Sequence, residues 1–204
     1  YGSAVETWFA VLARMETLVS LATFKYNAPH MVYPEIVEKD FIFSAKEAAH
    51  PLFSKKDRVA NDIYFPALGH FNIVTGANMA GKSTYLRTVG VNMILAMAGS
   101  AVCAQELKLK PLQLFTSIRT KDSLARNESY FYAELLRLQS IIEELKTGEP
   151  LFIILDEILK GTNSKDKEMG SKALVAQLIG LKAVGLIATH DLQLGTLIES
   201  FPDS

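Results

Sequence analysis

The sequence has little cysteine, no excess of positive charge and no long apolar run. Cys103 is the single cysteine among 204 residues, so an internal disulfide is impossible and a disulfide-stapled secreted scaffold is excluded; a reducing, cytoplasmic compartment is favoured. The 21 Lys+Arg and 22 Asp+Glu give a formal net charge of -1. This balance excludes the bulk electrostatics of a stand-alone nucleic-acid-binding module. Any DNA contact must come from a local patch or from residues outside the chain.

The longest apolar stretch, Val89 to Ala104, is interrupted by Asn92 and Ser100. It is shorter than the ~20 residues that a membrane span needs. We interpret it as a buried helix that runs into a core segment, and we expect no membrane contact from this segment. The chain starts at Tyr1 without an initiator methionine or a basic-then-apolar leader, which favours a fragment of a longer protein.

Two patterns divide the chain into a flank and a chemical centre. From Ala4 to Ala22 apolar residues recur at steps of three and four, which predicts a long amphipathic helix. A proline-punctuated stretch from Asn27 to Pro34 follows, and then short strand-like pieces such as residues 41–43. The first 50 residues or so are therefore interpreted as an attachment.

From His70 strands alternate with helices, which predicts a layered α/β/α fold around a mostly parallel sheet. In such folds the chemistry is expected at the carboxyl ends of the strands. The segment Leu151 to Leu155 is an unbroken apolar run, typical of a strand covered on both faces. The predicted elements are a strand at 71–74, a helix at 82–97, a helix at about 128–146, the strand at 151–155, a helix at about 167–181 and a strand at 184–188.

The segment between the first of these strands and its helix matches the phosphate-loop pattern G-x-x-x-x-G-K-[ST]. It reads Gly76, Ala77, Asn78, Met79, Ala80, Gly81, Lys82, Ser83. The glycines let successive N–H groups face an anion, which also meets the positive end of the following helix. Lys82 would reach the β- and γ-phosphates and the Ser83 hydroxyl would hold Mg²⁺. The competing interpretation is a glycine turn with a surface lysine.

A second candidate group follows the apolar strand. Asp156 stands at its end, where a carboxylate can support the Mg²⁺ shell, and Glu157 is placed to deprotonate water for attack on the γ-phosphate. The competing interpretation of Asp156 is a helix N-cap. The glutamate favours hydrolysis over transfer to a bound acceptor.

His190 directly follows the last predicted strand. A lone histidine is more often structural, but beside the other two motifs a ring N–H can hydrogen-bond the γ-phosphate and report its loss. His30 and His70 look incidental. His50 becomes interesting only through the resemblance described next.

These motifs resemble the ATPase domain of the MutS family of DNA mismatch-repair proteins. The phosphate loop extends from Thr75 to Arg87 like that family's T-G-P-N-M-G-G-K-S-T-Y loop, and its Asn-Met pair is more specific than the generic pattern. Residues 156–164 are similar to the family's D-E-I-G-R-G-T-S-T segment, and residues 188–190 to its A-T-H. Upstream, His50-Pro51 looks like the R-H-P-V element. The resemblance spans nearly the whole chain.

The resemblance implies a P-loop ATPase of the ABC-type group that binds ATP and Mg²⁺ and acts as a dimer, with two nucleotides at the subunit interface. It implies that Ser129, in the signature segment 122–134, contacts the partner's γ-phosphate. It also implies that residues 1–30 form a connecting helix, that residues 31–204 form an ATPase domain lacking its last dimerising element, and that DNA is bound by other domains. The site residues so implied are catalytic Glu157, Lys82, His190 and Ser129; nucleotide-binding Gly76, Ala77, Asn78, Met79, Ala80, Gly81, Lys82, Ser83, Thr84, Val59, Asn61 and Ile63; and metal-binding Ser83 and Asp156.

Several positions depart from the family pattern and favour a divergent branch. Ala77 and Ala80 replace Pro and Gly, Leu159-Lys160 replaces Gly-Arg, and Arg58 stands where an aromatic stacking residue is common, although a guanidinium can also stack. Two other functions stay open. One is a binding module that uses ATP occupancy as a switch with negligible hydrolysis; the other is a transporter-type ATPase, disfavoured because no L-S-G-G-Q signature is present.

Overall fold

The computed structural model describes residues 2–38, 43–77, 80–118, 130–159 and 164–190. These residues form an α/β fold with one parallel and one mixed sheet. In chain order the elements are α1 (Gly2–Asn27), β1 (Glu35–Ile36), β2 (Phe43–Ala48), β3 (Asn61–Phe65), β4 (Phe71–Thr75), α2 (Lys82–Met97), β5 (Glu106–Leu109), β6 (Gln113–Ser117), α3 (Tyr130–Lys146), β7 (Leu151–Asp156), α4 (Ser164–Gly180) and β8 (Val184–Thr189).

The parallel sheet has the strand order β4-β8-β7-β6 and places three strand ends side by side. Alternate residues of β7 serve different cores. Phe152 and Ile154 pack into the core that contains α2 and the mixed sheet, whereas the odd-numbered residues 151, 153 and 155 pack into the core that contains α3 and α4. The prediction of a strand covered on both faces is therefore confirmed.

The mixed sheet has the order β1-β5-β2-β3, with β1 parallel to β5 and the other pairs antiparallel. Phe43 and Phe65, both fully buried, bring this sheet against the parallel one. Their ring centroids lie 5.5 and 5.0 Å from that of Phe152 in edge-to-face geometry, an arrangement that adds to simple area burial. The sequence predicted only a small flanking strand region here.

Helix α2 lies in the core shared by the two sheets. Gly90 allows close approach to β7, because a Cβ there would lie 3.1 Å from Ile154 Cδ1. The side-chain amide of the fully buried Asn92 donates to Ala49 O at 3.0 Å, and its oxygen accepts the Cys103 N–H at 2.7 Å. The helix ends at Met97, and residues 101–104 are buried, which confirms the expected helix running into a core segment.

Helix α1 is longer than the periodicity predicts, since it continues from Ala22 to Asn27. The ammonium of Lys25 accounts for part of this extension, because it donates to Pro29 O at 2.9 Å and Met31 O at 2.6 Å just beyond the helix end. Trp8 is 62% exposed, as are other apolar side chains along the helix. Within the described ranges no helix combines the length and apolarity needed to cross a membrane.

The other boundaries differ by a few residues. Helix α4 begins at Ser164 rather than near Lys167, because polar residues at the start of a helix carry no apolar periodicity. Helix α3 begins at Tyr130, and the two residues before it that were included in the predicted helix lie outside the described ranges. Residues 41 and 42 of the expected strand at 41–43 also lie outside the described ranges.

Candidate functional site

A glycine-bearing loop joins β4 to α2. Gly76 has φ of 152° and Gly81, at the N-cap of α2, has φ of 91°; both values favour glycine, since other residues rarely adopt them. The Lys82 ammonium donates to Gly76 O at 2.5 Å and to Ala77 O at 3.0 Å. The lysine head therefore lies within the curl of the loop. Two residues expected to bind nucleotide, Asn78 and Met79, lie outside the described ranges.

The first turn of α2 meets the end of β7. The Ser83 hydroxyl donates to Asp156 Oδ2 at 2.7 Å, although the two residues are 73 positions apart. Parallel pairing explains the contact, because β4, β8 and β7 end at the same edge of the sheet. The two residues predicted to hold a metal ion thus present their oxygens together.

Glu157 begins the turn after β7 in a left-handed conformation, with φ of 55°. For a non-glycine residue this conformation costs about 1–2 kcal/mol, and such strain concentrates at functional sites. The Glu157 N–H donates to Ala188 O at 2.9 Å, and its Oε1 lies 2.6 Å from His190 Nε2. The predicted base and the predicted γ-phosphate sensor are therefore in direct contact.

His190 also approaches the loop lysine, with Nδ1 3.5 Å from Lys82 Nζ. An ammonium group can only donate, so Nδ1 must be the acceptor in this long contact. The ring proton then resides on Nε2, which donates to Glu157. Lys82, His190 and Glu157 form one connected polar chain across the ends of β4, β8 and β7.

A cavity of about 540 Å³ opens at Lys82, one end of this series of polar contacts, and its volume is within the usual ~300–1,000 Å³ of small-molecule sites. On one side it is bounded by Ala80, Gly81, Lys82 and Thr84 of the loop and α2, and on the other by Val59, Asn61 and Asp62. Ile63 differs from its neighbours because its side chain is buried in the core between the sheets. The Asp62 carboxylate accepts the Glu47 N–H at 2.9 Å, which secures the β2 bulge behind this wall.

Two aromatic groups at the cavity were not singled out as candidate site residues from the sequence. Phe53 lies beside His50, with ring centroids 5.2 Å apart, and Tyr85 also lines the cavity. Arg58 is engaged elsewhere, since its Nε donates to Phe53 O at 2.8 Å and its Nη1 lies 2.5 Å from His30 Nε2. Phe53 therefore supplies an aromatic face of the cavity. An aromatic residue in a turn-rich segment has no periodic context, so no sequence signal identified it.

His50 is held as a neutral ring. Burial, and secondly the charge of Arg87, lowers the pKa of His50 below its ordinary value. Its Nδ1 accepts the Leu52 N–H at 3.3 Å, which leaves Nε2 as the protonated nitrogen. Burial likewise raises the pKa of the Tyr85 hydroxyl, so burial favours the uncharged form of both groups.

Glu134 on α3 is a further polar contact that sequence reasoning missed. Its Oε1 accepts the Leu159 N–H at 2.9 Å, so it reaches the same turn that contains Glu157. On sequence alone Glu134 is one of several acidic residues on a helix. Ser129, predicted to act across a subunit interface, lies outside the described ranges.

The arrangement combines three chemical capacities. A curled loop with a lysine can hold an anion, a hydroxyl and a carboxylate can hold a hard cation, and a carboxylate hydrogen-bonded to an imidazole can orient and deprotonate water. In the described part of the chain no group of three or more His, Cys, Asp or Glu side chains is placed to hold a metal ion by itself.

Sequence comparisons with known proteins identify the family of this chain. A family model described as MutS domain V matches residues 72–203. The DNA mismatch repair protein MutS of Thermotoga sp. (strain RQ2) is 34% identical over 194 residues, 94% of this chain and 24% of that protein. DNA mismatch repair protein MSH3 of Vanderwaltozyma polyspora is 34% identical over 192 residues, 91% of this chain and 18% of that protein.

A third relative, MutS protein homolog 4 of Homo sapiens, is 32% identical over 176 residues, 84% of this chain and 18% of that protein. The chain thus spans about a quarter or less of the length of the curated relatives it matches. The family model covers well over half of the chain, and the similarity extends beyond it into the segments that precede residue 72. The chain belongs to the MutS family.

Proposed function

We propose that this chain is a Mg²⁺-dependent ATP-binding and hydrolysing domain with a P-loop, ABC-ATPase-like fold. The observation that carries the proposal is a set of polar contacts at one edge of the parallel sheet. His190 contacts both Lys82 and Glu157, Ser83 is hydrogen-bonded to Asp156, and Lys82 also lines the cavity. These five residues come from three separate sequence motifs, yet all meet at one edge of the parallel sheet. A triphosphate bound along that edge would meet the Lys82 ammonium, the metal-binding pair Ser83 and Asp156, and the base Glu157.

The loop is suited to the phosphates. Gly76 and Gly81 both have positive φ, and the N-terminus of α2 directly after Gly81 favours negative charge. Lys82 would exchange its bonds with Gly76 O and Ala77 O for phosphate oxygens. Thr84 lines the cavity one residue after Ser83 and supports the α-phosphate. Asn78 and Met79 are assigned to the same loop by their place in the sequence.

Ser83 and Asp156 fit Mg²⁺ by their chemistry. Both present hard oxygens at one point, and Mg²⁺ is usually held by one or two protein groups together with substrate phosphates. When bound, the ion supplies charge neutralisation of the β- and γ-phosphates. Asp156 orients the Ser83 hydroxyl through their hydrogen bond.

Glu157 is proposed as the general base. Its carboxylate would take the proton of a water molecule aligned with the γ-phosphate. His190 donates to Glu157 and thereby fixes its direction, while its contact with Lys82 links it to the phosphate-binding loop. Gain or loss of the γ-phosphate at Lys82 would therefore change the position of His190 and, through it, of Glu157.

The opposite side of the cavity is proposed to hold the adenine. Val59, Asn61 and the backbone leading to Ile63 form this wall, and Phe53 lies at its edge. A planar base can stack on an aromatic face. The cavity thus joins an apolar and aromatic region to a charged one, as a nucleotide requires.

In the whole protein we propose that the domain dimerises and that nucleotide-driven closure controls DNA binding by other domains. Ser129 of one subunit would contact the γ-phosphate of the other. Residues 1–30 then connect the ATPase domain, residues 31–204, to the part that precedes it. The exposed apolar side chains of α1, such as Trp8 and Phe9, favour packing against that part.

Phosphate release by the full-length protein tests this proposal. With ATP and Mg²⁺, we expect multiple turnovers that fall ~100-fold or more in Lys82→Ala. Lys165→Ala, an exposed lysine on α4, is the matched control and should behave as the wild type. Release no faster in the wild type than in Lys82→Ala would contradict hydrolysis and favour an occupancy switch. Turnover per chain that is independent of protein concentration in a monomeric sample would contradict the shared site.

A further inference from the structure

Two residues of the turn after β7 have left-handed backbones without being glycine. Glu157 and Leu159 both have φ of 55°. Such conformations persist only where surrounding contacts fix them. Because Glu157 is the proposed base, the contacts that fix this turn also fix the direction of its carboxylate.

Contacts from three elements hold the turn. From β8, Ala188 O accepts the Glu157 N–H at 2.9 Å. From α3, Glu134 Oε1 accepts the Leu159 N–H at 2.9 Å. From α4, the absence of a side chain at Gly170 makes room for Leu159, since a Cβ there would lie 2.7 Å from Leu159 Cδ1.

The contact from Glu134 differs from the other two because its acceptor is a side chain on a separate helix. Glu134 is half-buried and lies in the second turn of α3, which begins at Tyr130. Ser129 directly precedes this helix in the sequence. A shift of α3 therefore moves the Glu134 carboxylate and, with it, the Leu159 N–H.

We propose that Glu134 is a positioning residue that holds the 157–159 turn and thereby sets the direction of Glu157. The inference rests on the proposed function for the role of Glu157. The turn depends strongly on such contacts, because Leu159 adopts a left-handed conformation that is strained for leucine and would be unstrained only for glycine. Glu134 also makes the geometry of the base depend on the position of α3.

Substitutions of Glu134 in the full-length protein test the positioning role. Glu134→Ala removes the acceptor, and we expect kcat for ATP hydrolysis to fall about tenfold with KM within about twofold. Glu134→Gln keeps an amide oxygen that can accept the Leu159 N–H, and should retain most of kcat. Glu144→Ala, at an exposed acidic residue of the same helix, should match the wild type.

The Glu134→Gln variant separates loss of the acceptor from loss of the carboxylate charge, because it keeps the acceptor and removes the charge. A wild-type kcat in Glu134→Ala would overturn the proposal. So would a Glu134→Gln variant as impaired as Glu134→Ala.

Amide hydrogen exchange at Leu159 tests, independently of activity, whether Glu134 holds the turn. We expect exchange to accelerate in Glu134→Ala and to stay slow in Glu134→Gln and Glu144→Ala, because an amide that keeps its acceptor remains protected. Unchanged exchange in Glu134→Ala would overturn the proposal even if turnover falls. If the wild type hydrolyses no ATP, the proposed function fails, and the exchange measurement still determines whether Glu134 holds the turn.

Discussion

The two sheets contribute different kinds of chemistry to the candidate site. The parallel sheet ends in charged and polar side chains, with Asp156 at the end of β7 and the Glu157–His190 pair just beyond it. The mixed sheet and its adjoining loop contribute Val59, Asn61 and Phe53. The reactive groups therefore come from one sheet and most of the apolar wall from the other. We expect changes on the first side to act mainly on turnover, and changes on the second to act mainly on affinity.

The largest expected effect comes from breaking the parallel sheet itself. Gly185 of β8 pairs with Ile153 of β7, and a Cβ at Gly185 would overlap the Ile153 backbone. Gly185→Val should therefore lower the free energy of unfolding by more than about 4 kcal/mol, the range of severe core disruption, and abolish both affinity and turnover. Urea denaturation measures the free energy of unfolding.

The matched control for that substitution is Gly180→Ala. A Cβ at Gly180 meets nothing within 4 Å, and alanine is favoured over glycine in helices by roughly 0.5–1 kcal/mol, so stability should be kept or slightly raised. A Gly185→Val protein as stable as Gly180→Ala would show that the β7–β8 contact does not support the site.

A smaller effect is expected from loosening the join between α2 and the mixed sheet. Asn92→Leu removes the amide that pairs with Ala49 O and the Cys103 N–H. Leaving such buried groups unpaired costs about 1–3 kcal/mol each. We expect a clear loss of stability and a weaker affinity for ATP, because Ala49 precedes His50 at the cavity. Unchanged unfolding in urea would contradict this role of Asn92.

A change confined to the apolar wall should separate affinity from turnover. Phe53→Ala removes an aromatic face, for which about 1 kcal/mol of stacking corresponds to a roughly fivefold rise in the KM for ATP. kcat should stay close to that of the wild type. Leu52→Ala, at a neighbour that is 85% exposed, should change neither value. A fall in kcat without a rise in KM would break the proposed division between the sheets.

The smallest effect concerns pH. Burial lowers the pKa of His50, so the unfolded chain binds this proton more readily than the folded one does. The contribution of neutral His50 to the free energy of unfolding is therefore present above the ordinary histidine pKa of about 6.5. It is lost as the pH falls below that value. His50→Gln should reduce the loss of stability between pH 7.5 and 5.5 in urea denaturation. An equal loss in both proteins would contradict this assignment.

The difference between the two sheets also explains what the sequence could predict. Strands β4, β7 and β8 are short apolar runs that end in recognisable motifs, so residues 82, 156, 157 and 190 could be identified locally and were found together. The mixed sheet pairs β2 with β5, whose residues Phe43 and Leu109 are distant in sequence. No local pattern specifies such pairing. Phe53 was missed for another reason, because it lies in a turn-rich segment that has no periodic pattern.

The turn after β7 shows a second limit of sequence reasoning. Leu159 was recognised as a departure from the family's glycine, but its left-handed conformation and the bond from Glu134 depend on how α3 packs against the sheet. Helical periodicity predicts which face of α3 is apolar and says nothing about the partner of one carboxylate. A strained residue and its support therefore appear only in three dimensions.

The Glu157→Gln variant tests the central claim most directly, because it changes the proposed base without changing its size. The measurement is ATP affinity and steady-state phosphate release on the same full-length protein. We predict an ATP Kd within about threefold of the wild type and a kcat lowered ~100-fold or more, since general-base catalysis contributes roughly 10²–10⁴. Retained affinity with unchanged turnover would contradict the account.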